Sequence, residues 1–194
     1  MRVSAKHLLL LTTVVAGMLS LASCENDINK IKQLSAKQDT LAVDTTTNVD
    51  VIYSDSAKVK LHMISPLMLE HKDDKQPEKA YTEMPHGVKI IFYDTTRQES
   101  GNIVSDWAIR HTASQIVEFH KNVVATNIQG DTYKSDELIW DPAAHKIYSN
   151  KPVTITRING DVTQGSPFTS DEKLQRPFLG HGTGIYHVTD MPQN

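Results

Sequence analysis

The sequence predicts an all-β protein assembled from a repeated hairpin-sized unit, and three observations carry that prediction. First, Gly101-Asn102-Ile103-Val104-Ser105-Asp106, Gly130-Asp131-Thr132-Tyr133-Lys134-Ser135-Asp136 and Gly160-Asp161-Val162-Thr163, running on to Ser170-Asp171, share a phrase, with their glycines 29 and 30 residues apart. Second, the stretches between them are short and alternating, as in Ile116-Val117-Glu118-Phe119, Asn122-Val123-Val124-Ala125 and Pro152-Val153-Thr154-Ile155-Thr156-Arg157. Each is stopped by Asn, Gly, Asp or His. Third, no stretch beyond Cys24 shows a long helical period.

The chain opens differently. Arg2 and Lys6 give a positive start, Leu8 to Leu19 form an uncharged, largely apolar run of 12 residues, and Leu21-Ala22-Ser23-Cys24 closes it before the only cysteine. That run is shorter than the roughly 20 residues of a spanning helix. Residues 1–23 are therefore expected to be a lipoprotein signal peptide, cut so that the Cys24 thiol carries a diacylglycerol; a signal anchor with an incidental cysteine is the alternative. Two or more acyl chains, at about 0.8 kcal/mol per buried methylene, hold a protein on a bilayer. Residues 24–48 are polar and include Thr45-Thr46-Thr47; they are expected to be a tether.

Val49 to Tyr53 and Lys58 to Ile64, joined by Ser54-Asp55-Ser56-Ala57, predict a hairpin whose second strand ends at Pro66. Pro77 to Pro85 is expected to be a polar loop. Val88 to Tyr93 predicts a strand with Val88, Ile90 and Phe92 on one face. Further strands are expected at Ile103–His111, 116–119, 122–127, 131–140, 146–149, 153–158 and 161–168, with Asp141-Pro142-Ala143-Ala144-His145 as turn chemistry. Residues 49–175 are expected to form the β domain and 176–194 a flexible tail.

Without a second cysteine the domain has no disulfide staples, and stability must come from a core. Loss of Arg2 and Lys6 with the signal takes the net charge from −3 to −5, which argues against a nucleic-acid partner. His62, His71, His86, His111, His120, His145, His181 and His187 show no metal-ligand spacing, and His7 lies in the signal. No Gly-x-Ser-x-Gly motif or paired carboxylate supports catalysis, and no cofactor is implied. Gly180-His181-Gly182-Thr183-Gly184 has glycines of the phosphate-loop type but lacks the following Lys-Ser/Thr. The Ser-Asp pairs are expected to cap turns rather than hold calcium, and Trp107 and Trp140 to anchor the core.

Val51-Ile52-Tyr53-Ser54-Asp55-Ser56, Gly87-Val88-Lys89-Ile90-Ile91-Phe92-Tyr93-Asp94, Ser135-Asp136-Glu137-Leu138-Ile139-Trp140-Asp141, Lys151-Pro152-Val153-Thr154-Ile155 and Gly160-Asp161-Val162-Thr163-Gln164-Gly165 together resemble the LptC family. Its members are membrane-anchored periplasmic subunits of the lipopolysaccharide export bridge. The resemblance covers about residues 49–175. It implies an open, twisted β-jelly-roll of two antiparallel sheets with an apolar groove between them for the lipid A acyl chains. It also implies partners: permease subunits of the inner-membrane ABC transporter on one side, and an LptA-like periplasmic bridge protein on the other. Well-known members use a spanning N-terminal helix where this chain carries Cys24, which implies the periplasmic face of the inner membrane reached by lipid. The glycine-rich end matches nothing in the family pattern.

Strand alternation then nominates Val88, Ile90, Phe92, Val117, Phe119, Val153 and Ile155 as inward-facing residues that line the groove or pack a closed core. The docking edges are expected at the hairpin Val49–Ile64 and at the last strands, Asp161–Leu174, because an open sandwich leaves main-chain groups free for strand addition. The competing reading is an adaptor lipoprotein that binds protein and no lipid.

Overall fold

A computed structural model describes residues 43–73 and 75–186. The expected signal peptide, Cys24, residues 24–42 of the expected tether and residues 187–194 of the expected tail lie outside the described residues. The described chain consists of twelve strands and one short 3-10 turn. The strands are β1 (Val43–Asp55), β2 (Lys58–His71), β3 (Tyr81–Met84), β4 (Val88–Tyr93), β5 (Glu99–Ser105), β6 (Trp107–His111), β7 (Val117–Asn127), β8 (Thr132–Asp141), β9 (Lys146–Ser149), β10 (Val153–Thr156), β11 (Val162–Asp171) and β12 (Phe178–Ile185). Every pairing is antiparallel.

The pairings sort into two ladders that share their long strands. One runs β1-β2-β4-β5-β7-β8-β10-β11-β12, and the other β1-β2-β3-β6-β7-β8-β9-β11-β12. In β7, residues 117–120 pair with β6 while 124–127 pair with β5. In β8, residues 132–134 pair with β10 while 139–141 pair with β9. β2 and β11 divide between partners in the same way. The result is the jelly-roll-like sandwich expected, each long strand bending from one layer into the other.

The bends fall in line from strand to strand. They lie at Asn48 in β1, Ser65-Pro66 in β2, Asp106 between β5 and β6, Lys121-Asn122 in β7, Asp136 in β8 and Ser166-Pro167 in β11. Asn48, Lys121 and Asn122 have positive φ. A bend takes carbonyls out of the ladder, and a buried carbonyl without a donor is costly. Serines meet that need along the seam. The Ser65 hydroxyl lies 2.8 Å from the Gly87 carbonyl and 2.9 Å from that of Leu67. Ser105 donates to the Trp107 carbonyl, Ser135 to Pro152 and Ser166 to Asn150. The recurrent Ser-Asp phrase at 105–106 and 135–136 therefore marks crossings between layers rather than turns, whereas at 170–171 Asp171 caps a turn as expected, accepting from the Gln175 amide at 2.7 Å. Ser65 is 1% exposed, so Ser65→Ala is expected to destabilise the domain by about 1–3 kcal/mol. Urea unfolding measures this; no change would mean that water replaces the hydroxyl.

The repeat also appears as three like turns. Asp94 to Gln98, Asn127 to Asp131 and Arg157 to Asp161 each close with an amide of the first residue donating to the carbonyl of the fifth. Their fourth residues, Arg97, Gly130 and Gly160, all have positive φ. Gly101 is not the equivalent of Gly130; it lies in β5, where an added Cβ would come within 2.7 Å of the Thr126 carbonyl.

Several expected boundaries move. β1 begins at Val43, inside the stretch assigned to the tether, because Thr45-Thr46-Thr47 is β-branched and pairs against Leu67 to Leu69. Pro66 does not end β2: it sits at the bend, where its missing N–H is not needed. The expected loop at 77–85 contains β3, and the expected strand 103–111 divides at Asp106 into β5 and β6. The glycine-rich segment placed in the tail is β12, paired to β11; glycine keeps both main-chain groups that a ladder requires.

Candidate functional site

The inner faces of the two ladders meet in one core. Register places Met63, Ile90, Ile103, Ala125, Tyr133 and Ile155 in a row across the first ladder. Met84, Ala108, Phe119 and Leu138 form the facing row of the second. Towards β11 the space between them is filled. Tyr133, Phe119, Leu138, Ile147 and Val153 are fully buried, and the Tyr133 and Phe168 rings pack at 5.8 Å. The Tyr133 hydroxyl donates to the Leu174 carbonyl at 2.7 Å. Burial pushes its pKa up to about 12, and the charge of Asp131 adds to the effect.

Towards β1 the same inner face comes into the open. Leu61 and Met63 on β2 and Phe92 on β4 are partly buried against the core, as is Met68 beyond the bend of β2. Register continues this face onto β1 through Val51, opposite Met63, and Tyr53, opposite Leu61. These two are 43% and 56% exposed. Phe92 reaches across the sandwich to Trp140, ring to ring at 5.1 Å and nearly perpendicular, and the Trp140 indole donates to Glu172 at 2.9 Å. The Phe92–Trp140 contact marks where the filled interior gives way to a graded apolar strip leading out to the β1 edge. Open apolar surface of this kind, continuous with a core, suits flexible hydrocarbon better than a polar small molecule.

All seven residues nominated from the sequence meet in the core cluster. Val88, Ile90, Val117, Phe119, Val153 and Ile155 are buried in it, and Phe92 is half-buried at its margin. The strip residues Leu61, Met63, Met68, Val51 and Tyr53 were missed. Their signal was present in the alternation of Leu61 and Met63 with Lys60 and His62, but the sequence did not say which face of the hairpin turned inward.

The outer face of the second ladder carries a belt of histidines and carboxylates. Glu118 lies between His111, at 2.8 Å, and His120, at 3.1 Å. Glu83 accepts from the Trp107 indole at 2.7 Å and lies 3.4 Å from His71. Partial burial works against ionisation of Glu118, but the hydrogen bonds with His111 and His120 outweigh it and hold its pKa below the usual carboxylate value. Among the described residues no three His, Cys, Asp or Glu are arranged to hold a metal ion.

Among the described residues β1 and β12 are each paired on one side only, so the described sheet presents two free edges. The expected C-terminal docking edge, Asp161–Leu174, is corrected: β11 is covered by β12, which is itself the outer strand. No helix among the described residues is long and apolar enough to cross a membrane.

Comparison with known families matches residues 8–183 to the family described as "Lipopolysaccharide-assembly, LptC-related". No curated protein matches the chain.

Proposed function

Since the chain belongs to the LptC-related family of lipopolysaccharide-assembly proteins, we propose that it hands lipopolysaccharide from the inner-membrane transporter to a periplasmic bridge along its open apolar strip. Family membership makes it a periplasmic, inner-membrane-associated component of the lipopolysaccharide export system. The finer reading is supported by the strip that emerges at the β1 edge. Acyl chains entering beside Val51 and Tyr53 would lie on Leu61, Met63 and Phe92, with the deeper Ile90 and Val88 as the wall behind. Apolar contact of about 25 cal/mol per Å2 gives affinity without a specific clamp, which suits a carrier that must release its cargo. In this reading β1 joins the β domain of the transporter's permease subunits and the C-terminal end of the sheet, at β11 and β12, faces an LptA-like bridge protein, both through main-chain pairing. Cys24 carries the lipid anchor.

Photocrosslinking side chains placed at Met63 and at its outward-facing neighbour His62 test this in cells. Lipopolysaccharide is expected at Met63 and not at His62. Equal capture at both, or at neither, would overturn the reading. The same purified protein reports on the anchor. Its N-terminal peptide is expected to carry diacylglycerol on Cys24, and an unmodified Cys24 within an uncut N-terminus would remove the lipid anchor.

A further inference from the structure

We propose that β12 is a placeholder, occupying the edge of β11 until a strand from the next bridge component displaces it; the proposal rests on the export reading above. β12 alternates Gly180, Gly182 and Gly184 with His181, Thr183 and Ile185. Every residue in it is exposed except Leu179. It is therefore held mainly by main-chain hydrogen bonds to β11, with Leu179 as its one side chain packed against the core. Its one interruption lies at Gly180, opposite Pro167, which has no N–H to donate; an added Cβ on Gly180 would come within 2.7 Å of the Pro167 ring. Glycine also loses more backbone freedom on pairing than any other residue. A strand held in this way exchanges main-chain bonds one for one with an incoming strand, and any side chains that the newcomer brings favour the exchange.

Apart from the Leu179 contact, the core is built from residues outside β12. Phe168 and Ser170 of β11 are buried in the sandwich. Immediately before β12 the chain is pinned: the Leu174 side chain is buried, its carbonyl accepts from Tyr133 and Asn127, and the Gln175 amide donates to Asp171 at 2.7 Å. Displacement would thus swing out residues 178–185 from a fixed point and leave the core closed. Gly165 and Gly182 face each other at a close approach, where a Cβ on Gly182 would come within 2.9 Å of the Gln164 carbonyl. An ordinary side chain there would loosen β12 specifically.

The test uses the full chain with Cys24→Ser and the purified periplasmic bridge protein of the same export system. Thr169 and Phe178 are exposed cross-strand partners, and directly opposed Cα atoms at roughly 4.5–5.5 Å suit a disulfide. The double variant Thr169→Cys, Phe178→Cys, oxidised, is expected to bind the bridge protein at least tenfold more weakly than wild type and to recover on reduction. Gly182→Val is expected to bind several-fold more tightly, its circular dichroism otherwise unchanged. Wild-type binding by the oxidised lock would overturn the placeholder, because the partner would then add to β12 itself. If the wild type captures no bridge protein, the export reading fails instead. Hydrogen exchange of the free chain then decides about β12 alone. Amides of Thr183 and Ile185 are expected to exchange far faster than those of β8, and equal protection overturns the proposal.

Discussion

Phe119→Glu is expected to abolish folding, whereas Phe92→Glu is expected to leave a cooperative, folded domain. Both residues were nominated from the same alternation pattern, and burial separates them. Phe119 is fully buried at the centre of the sandwich, between Ala108 and Leu138. Truncating such a side chain costs about 3–5 kcal/mol, and a carboxylate there adds the burial of an unpaired charge. Against a total stability of roughly 5–15 kcal/mol, that suffices to unfold a domain. Phe92 stands at the margin, so the flexible carboxylate of a glutamate can turn out to water at the cost of the Trp140 contact. Thermal and urea unfolding followed by circular dichroism measure both. A Phe119→Glu protein that melts near the wild type would mean that the sandwich opens through its centre and that the filled interior is not its resting state.

The double variant Leu61→Glu, Met63→Glu is expected to reduce lipopolysaccharide capture at the strip at least tenfold while keeping the fold. Each residue is only partly buried, so each carboxylate remains hydrated and costs little stability. What it removes is the apolar run between the β1 edge and Phe92, which every acyl chain would have to cross. Crosslinking from an unnatural side chain at Phe92 reports capture, and the unfolding midpoint of the same protein reports the fold. Undiminished capture at wild-type stability would place the lipid path elsewhere on the molecule.

The all-β class and the repeat were legible because strand alternation and glycine turns are local properties of the sequence. The same holds for the inward set Val88, Ile90, Phe92, Val117, Phe119, Val153 and Ile155, which register carries into one core. Three things were not legible, each for a physical reason. Strand sharing between layers is non-local: nothing near Lys121-Asn122 says that the two halves of β7 take different partners. Polar edge strands hide from a hydrophobicity pattern, which is why Thr45-Thr46-Thr47 suggested a spacer and Gly180 to Gly184 a loose tail, although both are held by main-chain bonds. And alternation gives two faces without saying how deeply each is covered, so it could not separate Phe119 from Phe92 or bring Leu61 and Met63 forward.

The line of serine-bonded bends has a mechanical consequence. Because the layers are continuous through it, a rotation of the backbone at the bends would move them like a hinged pair of covers. Such a rotation would alter the gap at the rim while the pairings within each ladder keep their register. About five residues of strand at roughly 3.3 Å each give a lever of about 16 Å from hinge to rim. A rotation of about 10° over that lever moves the rim by roughly 3 Å. Opening by such a torsion would widen the rim for a chain of variable thickness without lengthening the domain between its β1 and β12 edges.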